Sequence, residues 1–74
     1  MPILTGVELI KILEKVGFKI IRQKGSHLFL KHQDNRTTII PVHKGKDLDR
    51  SLLRKILRDT KISPDKFKNI LKNV

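Results

Sequence analysis

Residues 18–42 decide the fold of this chain, and they read FKIIRQKGSHLFLKHQDNRTTIIPV. Two polar turn segments, Gly25-Ser26 and residues 34–36, divide the stretch into three runs rich in β-branched and bulky side chains. A leading glycine suits a two-residue hairpin turn, and Asp-Asn-Arg suits a slightly longer one. The pattern predicts three antiparallel strands, over residues 18–24, 27–33 and 37–42. The third strand should lie at an edge of the sheet, because Pro41 cannot donate to a ladder.

A helical pattern precedes the strands. Thr5 and Glu8 have the spacing of a capping box, and Gly17 suits the left-handed residue that ends many helices. A first helix is therefore predicted over residues 6–16. Its inner face should carry the apolar residues that recur at helical spacing, Leu9, Ile10, Leu13 and Val16.

Two further helices are predicted after the strands. Asp47 or Asp49 would cap the second helix, and Ser63-Pro64 would start the third, because serine caps helices and proline suits the first helical position. The apolar faces of these helices comprise Leu52, Leu53, Ile56 and Leu57, then Phe67, Ile70, Leu71 and Val74. The predicted fold is a small α+β domain in the order helix, three antiparallel strands, helix and short helix. The helices should cover one face of the sheet and leave the other open to solvent.

Composition limits the kind of protein that this chain forms. Its 74 residues predict a single domain, residues 1–74, near the lower size limit for folding without disulfides or a structural metal. The absence of cysteine excludes disulfides and thiolate chemistry. No apolar run approaches the ~20 residues of a membrane span, and residues 1–4 lack a signal-peptide pattern. We therefore expect a cytoplasmic protein.

The charge balance points to a polyanionic partner. Seventeen Lys and Arg residues face seven Asp and Glu residues, for a formal net charge of +10. Nucleic acid relieves the self-repulsion of such a surface and gains affinity from counterion release. Two alternatives remain open, a merely solvated basic surface and an acidic protein partner. A membrane surface ranks lower, because the basic residues are spread along the whole chain.

His27 is the foremost candidate for proton chemistry. It directly follows the predicted Gly-Ser turn, and histidine titrates in the range that acid–base catalysis requires. If the second loop is residues 34–36, the register places His27 opposite His43, with both imidazoles on the open face beside Phe29 and Lys31. A one-residue slip of that loop would put the two histidines on opposite faces.

Such a face would suit cleavage of RNA through its own 2′-hydroxyl. That reaction needs a base, an acid and positive charge on the phosphate. Residues expected to contact RNA around His27 are Lys24, Gly25, Ser26, Phe29, His43, Lys44 and Lys46. Lys24, Lys44 and Lys46 would neutralise phosphate, the Gly-Ser turn would hold a phosphate oxygen, and Phe29 would stack on a base.

Less specific interpretations of the same residues are also open. A strand histidine such as His27 is more often a bystander than a catalyst, and His32 fits a solvated residue at a strand end. Arg50, Arg54 and Arg58 recur every fourth residue, which gives either a phosphate-binding stripe, with Arg54 contacting RNA, or a solvated helix face. The histidines lack the spacing of a zinc site, and no carboxylate cluster suggests magnesium, so we expect no metal.

An ordered set of motifs resembles the HicA family of toxins. The motifs are Gly17-Phe18, Arg22 to His27, Ile40 to Leu48, Leu53 to Arg58, and Ile62-Ser63. The likeness covers Thr5 to about Phe67 and departs at Arg50-Ser51, where such proteins usually carry Gly-Thr. The resemblance implies a fold like that of double-stranded-RNA-binding domains and a metal-independent ribonuclease that cleaves messenger RNA. It also implies neutralisation by a HicB antitoxin and places His27 at the catalytic position of the Gly-Ser-His motif.

The leading hypothesis is therefore an RNA-cleaving toxin, an endoribonuclease that uses His27 as general acid or base. The first alternative is a non-catalytic RNA-binding module that uses the same face. The second alternative is a pure interaction protein whose basic surface docks an acidic partner.

Overall fold

The helices and strands follow the predicted order. The computed structural model describes residues 3–73. Its elements are α1 (Gly6–Lys15), β1 (Lys19–Lys24), β2 (His27–Lys31), β3 (Thr37–Pro41), α2 (Arg50–Thr60) and α3 (Pro64–Lys72). The strands form one antiparallel sheet in the order β1-β2-β3, so β3 is an edge strand, as Pro41 predicts. The α-β-β-β-α order is the one that the resemblance implies.

The first helix has the predicted caps. The Glu8 N–H donates to Thr5 Oγ1 over 3.2 Å, and the Thr5 N–H donates to the Glu8 carboxylate over 2.9 Å. The hydrogen bond from the Thr5 main chain lowers the pKa of Glu8 below its ordinary value. The helix ends at Lys15, one residue earlier than predicted, and Gly17 follows with φ of +103°. That conformation favours glycine.

The two hairpin turns differ in how well they were predicted. Gly25-Ser26 is the two-residue turn between β1 and β2 that the pattern indicates, with Lys24 paired to His27. The second turn lies one residue earlier than predicted. The His32 N–H donates to the Arg36 carbonyl oxygen over 2.9 Å, and Asn35 has φ of +76°. The loop is therefore residues 33–35, in the arrangement of a type I turn followed by a left-handed residue.

The core lies between the helices and one face of the sheet. Its buried apolar residues are Leu4, Leu9, Ile10, Ile12, Leu13, Phe18, Leu30, Ile40, Leu53, Ile56, Leu57, Ile62 and Phe67. The sheet contributes Leu30 and Ile40, and the hydroxyl of buried Thr38 donates to the Asp59 carboxylate of α2 over 3.2 Å. His27 and Lys31 of β2 are exposed on the other face. Helices on one face and an open second face confirm the prediction.

Side-chain caps start the last two helices. Asp49, not Asp47, caps α2, and its carboxylate accepts from the Leu52 N–H over 2.7 Å. Ser63 caps α3 with Pro64 at its first turn, as predicted. The predicted inner positions of α3 include residue 74, which lies outside the described residues.

Candidate active site and nucleic-acid interface

His27 lies at an exposed corner of the open sheet face. It is the first residue of β2, directly after the Gly25-Ser26 turn, and its side chain is exposed. Across the sheet its neighbours are Lys24 on β1 and Pro41 on β3. Because solvent and a bulky ligand can reach the imidazole from the open face, its position suits proton exchange with a substrate.

The predicted pairing of His27 with His43 is wrong. The observed register pairs Lys31 with Thr37, Phe29 with Ile39, and His27 with Pro41. The cause is the position of the loop at residues 33–35, which shifts the partner of every β2 residue by two positions. A shift of two keeps each side chain on its predicted face, because strand side chains alternate with a period of two. His27 and Phe29 therefore remain on the open face, but His43 follows the end of β3.

His43 nevertheless lies at the same end of the sheet as His27. The Val42 N–H donates to the Ser26 carbonyl oxygen over 2.7 Å, which extends the β2–β3 pairing up to the Gly25-Ser26 turn. The next residue, His43, begins a tight turn that its carbonyl oxygen closes by accepting from the Lys46 N–H over 3.0 Å. The turn between β1 and β2 and the loop after β3 are thus neighbours.

A cleft opens between this loop and the beginning of α2. It encloses about 240 Å³, and its lining residues are Pro41, His43, Lys46, Asp47, Leu48, Asp49 and Leu52. Pro41 both lines the cleft and pairs with His27 across the sheet. The cleft therefore borders the residue next to His27, and His43 lies on its wall.

Positive charge is concentrated at this end of the sheet. Lys24, Lys44 and Lys46 are all exposed. None of the three has a carboxylate within 4 Å in the part of the chain that the structure describes. Exposed cations without an internal partner are available to phosphate groups of a ligand.

A bulge in β1 brings Arg22 and Lys24 onto the open face. The register is regular from Lys19 to Ile20 but shifts before Arg22, so that Ile21 has no partner on β2. Beyond this bulge Arg22 pairs with Phe29, and Lys24 pairs with His27. In an unbulged strand, Ile21 would oppose Phe29, and both cations would turn towards the helices. The only hint in the sequence is the break in alternation at Ile20-Ile21.

Phe29 forms the centre of the open face. Its side chain is half-buried, and the Arg22 guanidinium carbon lies 5.6 Å from its ring centroid. Ile39 lies opposite on β3 and remains 41% exposed. An aromatic ring beside an arginine and an apolar side chain is the kind of platform on which single-stranded bases stack. Phe29 was named from the sequence as a stacking residue, and this role stays a prediction, whereas Arg22 was not named as a contact to RNA.

Arg54 lies apart from the cations of the open face. It is exposed on α2, which packs against the opposite face of the sheet, and it lines a groove near the start of α3. The Asp59 carboxylate pairs with Lys55 over 3.2 Å. The arginine stripe of α2 therefore belongs to a separate surface.

His32 is structural, and its prediction as a solvated residue is wrong. Its ring is half-buried, with Nε2 lying 3.2 Å from the Val16 carbonyl oxygen and the centroid 5.1 Å from that of Phe18 in an edge arrangement. A side chain at Gly17 would overlap the same ring. His32 thus joins the β2–β3 loop to the end of α1.

Residues 3–73 contain no group of three or more His, Asp or Glu side chains placed to hold a metal ion. No helix in the same range has the length and apolar character to span a bilayer.

The fold and this site define a small basic α+β domain with a histidine on an open sheet face. The family described as "HicA toxin of bacterial toxin-antitoxin" matches residues 6–62, more than half of the chain. The chain therefore belongs to the HicA toxin family, and it is a toxin of a toxin–antitoxin system whose protein partner is an antitoxin. A search of curated proteins gave no match.

Proposed function

We propose that this toxin is an endoribonuclease that cleaves messenger RNA without a metal ion, and that His27 is its general acid or base. The observation that carries the proposal is the placement of His27, which is exposed on the open face beside Lys24. Its partner on β3, Pro41, lines the cleft that His43 also lines. Histidine is the side chain best suited to proton transfer near neutral pH.

The reaction uses the nucleophile that RNA itself carries. The 2′-oxygen attacks the adjacent phosphorus as a base removes its proton, and the bond from phosphorus to the 5′-oxygen breaks as an acid protonates that oxygen. The products are a 2′,3′-cyclic phosphate and a free 5′-hydroxyl. His27 performs one of the two proton transfers.

Neighbouring groups bind the charged backbone. Lys24, Lys44 and Lys46 neutralise phosphates, and the Gly25-Ser26 turn supplies main-chain N–H groups and a hydroxyl to a phosphate oxygen. Phe29, with Arg22 beside it, offers a stacking platform for one base. His43 contacts the RNA from the cleft wall. The antitoxin that neutralises the toxin is of the HicB type.

The His27→Ala variant tests the proposal. A labelled RNA should remain intact with this variant in the presence of excess chelator, whereas the wild type cleaves it. Loss of one general acid or base lowers the rate about 10²–10⁴-fold. Lys31→Ala is the matched control, because Lys31 is exposed on the same strand and face at its far end. Full cleavage by His27→Ala, or loss of wild-type cleavage in chelator, would contradict the mechanism.

A non-catalytic RNA-binding module is the second candidate. The cationic open face with Phe29 at its centre supports it. This candidate predicts salt-sensitive RNA binding with intact RNA after long incubation, and only a modest loss of affinity in His27→Ala.

A further inference from the structure

A groove between α2 and α3 forms a second candidate binding surface. It encloses about 500 Å³, and its lining residues are Arg54, Leu57, Arg58, Lys61, Ile62, Ser63 and Pro64. Leu57 and Ile62 are buried core residues that form the floor, and Pro64 begins α3 at one end. Arg54, Arg58 and Lys61 are exposed along the rim.

The cations of this rim have no internal partner. No carboxylate lies within 4 Å of Arg54, Arg58 or Lys61 across residues 3–73. The acidic residue next to Arg58, Asp59, instead accepts from Lys55 and from Thr38, each over 3.2 Å. The three cations around the apolar floor are therefore free to pair with negatively charged groups of another molecule.

The lining chemistry distinguishes between a protein and a nucleic acid. Surfaces that bind single-stranded RNA combine cations with rings on which bases stack, as Phe29 offers on the open face. No aromatic side chain lines the groove. The aliphatic stems of the rim residues and the floor instead provide an apolar surface.

We propose that this groove docks an acidic segment of the partner protein, with one aliphatic side chain seated on Leu57 and Ile62 and flanking carboxylates on the three rim cations. Charge complementarity with the unpaired rim identifies the occupant. The groove lies on the helical side of the sheet, whereas His27 lies on the open side, so an antitoxin bound here holds the toxin without relying on the RNA-binding face. This inference goes beyond the proposed ribonuclease activity and does not depend on it.

Fluorescence anisotropy with the full chain tests the proposal. The probe is a fluorescein-labelled peptide of sequence Glu-Asp-Glu-Leu-Glu-Asp-Glu, with a second peptide that carries Ser in place of Leu. The groove variant is Arg54→Ala/Arg58→Ala. The charge-matched control is Arg50→Ala/Lys68→Ala, whose residues are exposed but do not line the groove. Circular dichroism verifies that both variants fold.

The groove variant should bind the Leu peptide about tenfold more weakly than the wild type, and the control less than about threefold more weakly. The Ser peptide should bind wild-type protein several-fold more weakly than the Leu peptide, because the floor then loses its apolar contact. Equal losses in the two variants, or equal affinities for the two peptides, would show only non-specific attraction and overturn the proposal. A labelled heptauridylate that loses more affinity than the Leu peptide in the groove variant would assign the surface to RNA and overturn it as well.

Discussion

The main-chain N–H of Val42 donates to the carbonyl oxygen of Ser26 over 2.7 Å, and this bond joins the two loops of the candidate site. On one side it holds the turn that precedes His27. On the other it fixes the start of the loop that carries His43, Lys44 and Lys46. The Gly25-Ser26 turn therefore helps to position both His27 and the loop after β3.

The turn depends on Gly25, whose φ is +57°. Gly25→Val should lower the free energy of unfolding by about 1–2 kcal/mol and reduce RNA cleavage, because a β-branched residue is strained in the left-handed region. Gly25→Asn should lower the free energy of unfolding less, since asparagine tolerates a positive φ better than a β-branched residue does and no atom lies within 4 Å of the added Cβ. Urea denaturation and a cleavage assay measure the two effects. Equal behaviour of the two variants would rule out backbone strain as the cause.

The bulge at Ile21 allows a second prediction, because an unpaired residue can be removed without changing the pairs around it. Deletion of Ile21 should leave Arg22 opposite Phe29 and Lys24 opposite His27, and RNA affinity should stay within a few-fold of the wild type. Deletion of Arg22 should instead bring Ile21 opposite Phe29 and weaken binding as much as Arg22→Ala does. Cross-strand NOEs report the register, and anisotropy reports the affinity. Equal affinity of the two deletion variants would contradict this account of the open face.

Arg36 fastens the β2–β3 loop to the helical layer. Its guanidinium donates to the Thr60 carbonyl oxygen, lies 5.1 Å from the Phe18 ring centroid, and pairs with Asp34 over 2.8 Å. Arg36→Ala should lower the free energy of unfolding by about 2–3 kcal/mol, because a charged hydrogen bond and a cation–π contact are both lost. Arg36→Lys should recover little of this lost stability, since an ammonium group cannot make these contacts together. Urea denaturation measures the stability of both variants. An Arg36→Ala variant as stable as the wild type would contradict the structural role of Arg36.

The helices, their caps and the faces of β2 and β3 were predictable, because each depends on residues close by in the sequence. Thr5, Ser63 and the alternation of Leu28 with Phe29 are of this kind. The β2–β3 register was not predictable, because the sequence fits a loop at residues 34–36 as well as one at residues 33–35. The packing of His32 on Phe18, which only the structure shows, accompanies the second of these. The position of Arg22 on the open face was also not predictable, since it results from a bulge for which the local sequence gives only a weak signal.

Acid should weaken the fold through two carboxylates. Hydrogen bonding from Thr5 lowers the pKa of Glu8 from an ordinary 4.5, and hydrogen bonding from Arg36 lowers the pKa of Asp34 from an ordinary 3.8. Groups whose pKa is lower in the folded state contribute stability above the ordinary value and lose it as pH falls through the folded one. The free energy of unfolding should therefore decline below about pH 5. Glu8→Gln and Asp34→Asn should flatten that decline in urea titrations, whereas Glu14→Gln, outside the cap of the same helix, should not.

Because Pro41, and not His43, lies opposite His27, the two histidines should have different kinetic roles. His27→Ala should remove the proton transfer and lower kcat about 10²–10⁴-fold. His43→Ala should mainly raise KM, since His43 lines the adjoining cleft, where we propose that it contacts the RNA. Single-turnover cleavage at saturating RNA separates the two effects, with Lys31→Ala as the control for a general loss of positive charge. If His43→Ala lowers the saturating rate as much as His27→Ala, then His43 takes part in the chemistry and the assignment of His43 to binding is wrong.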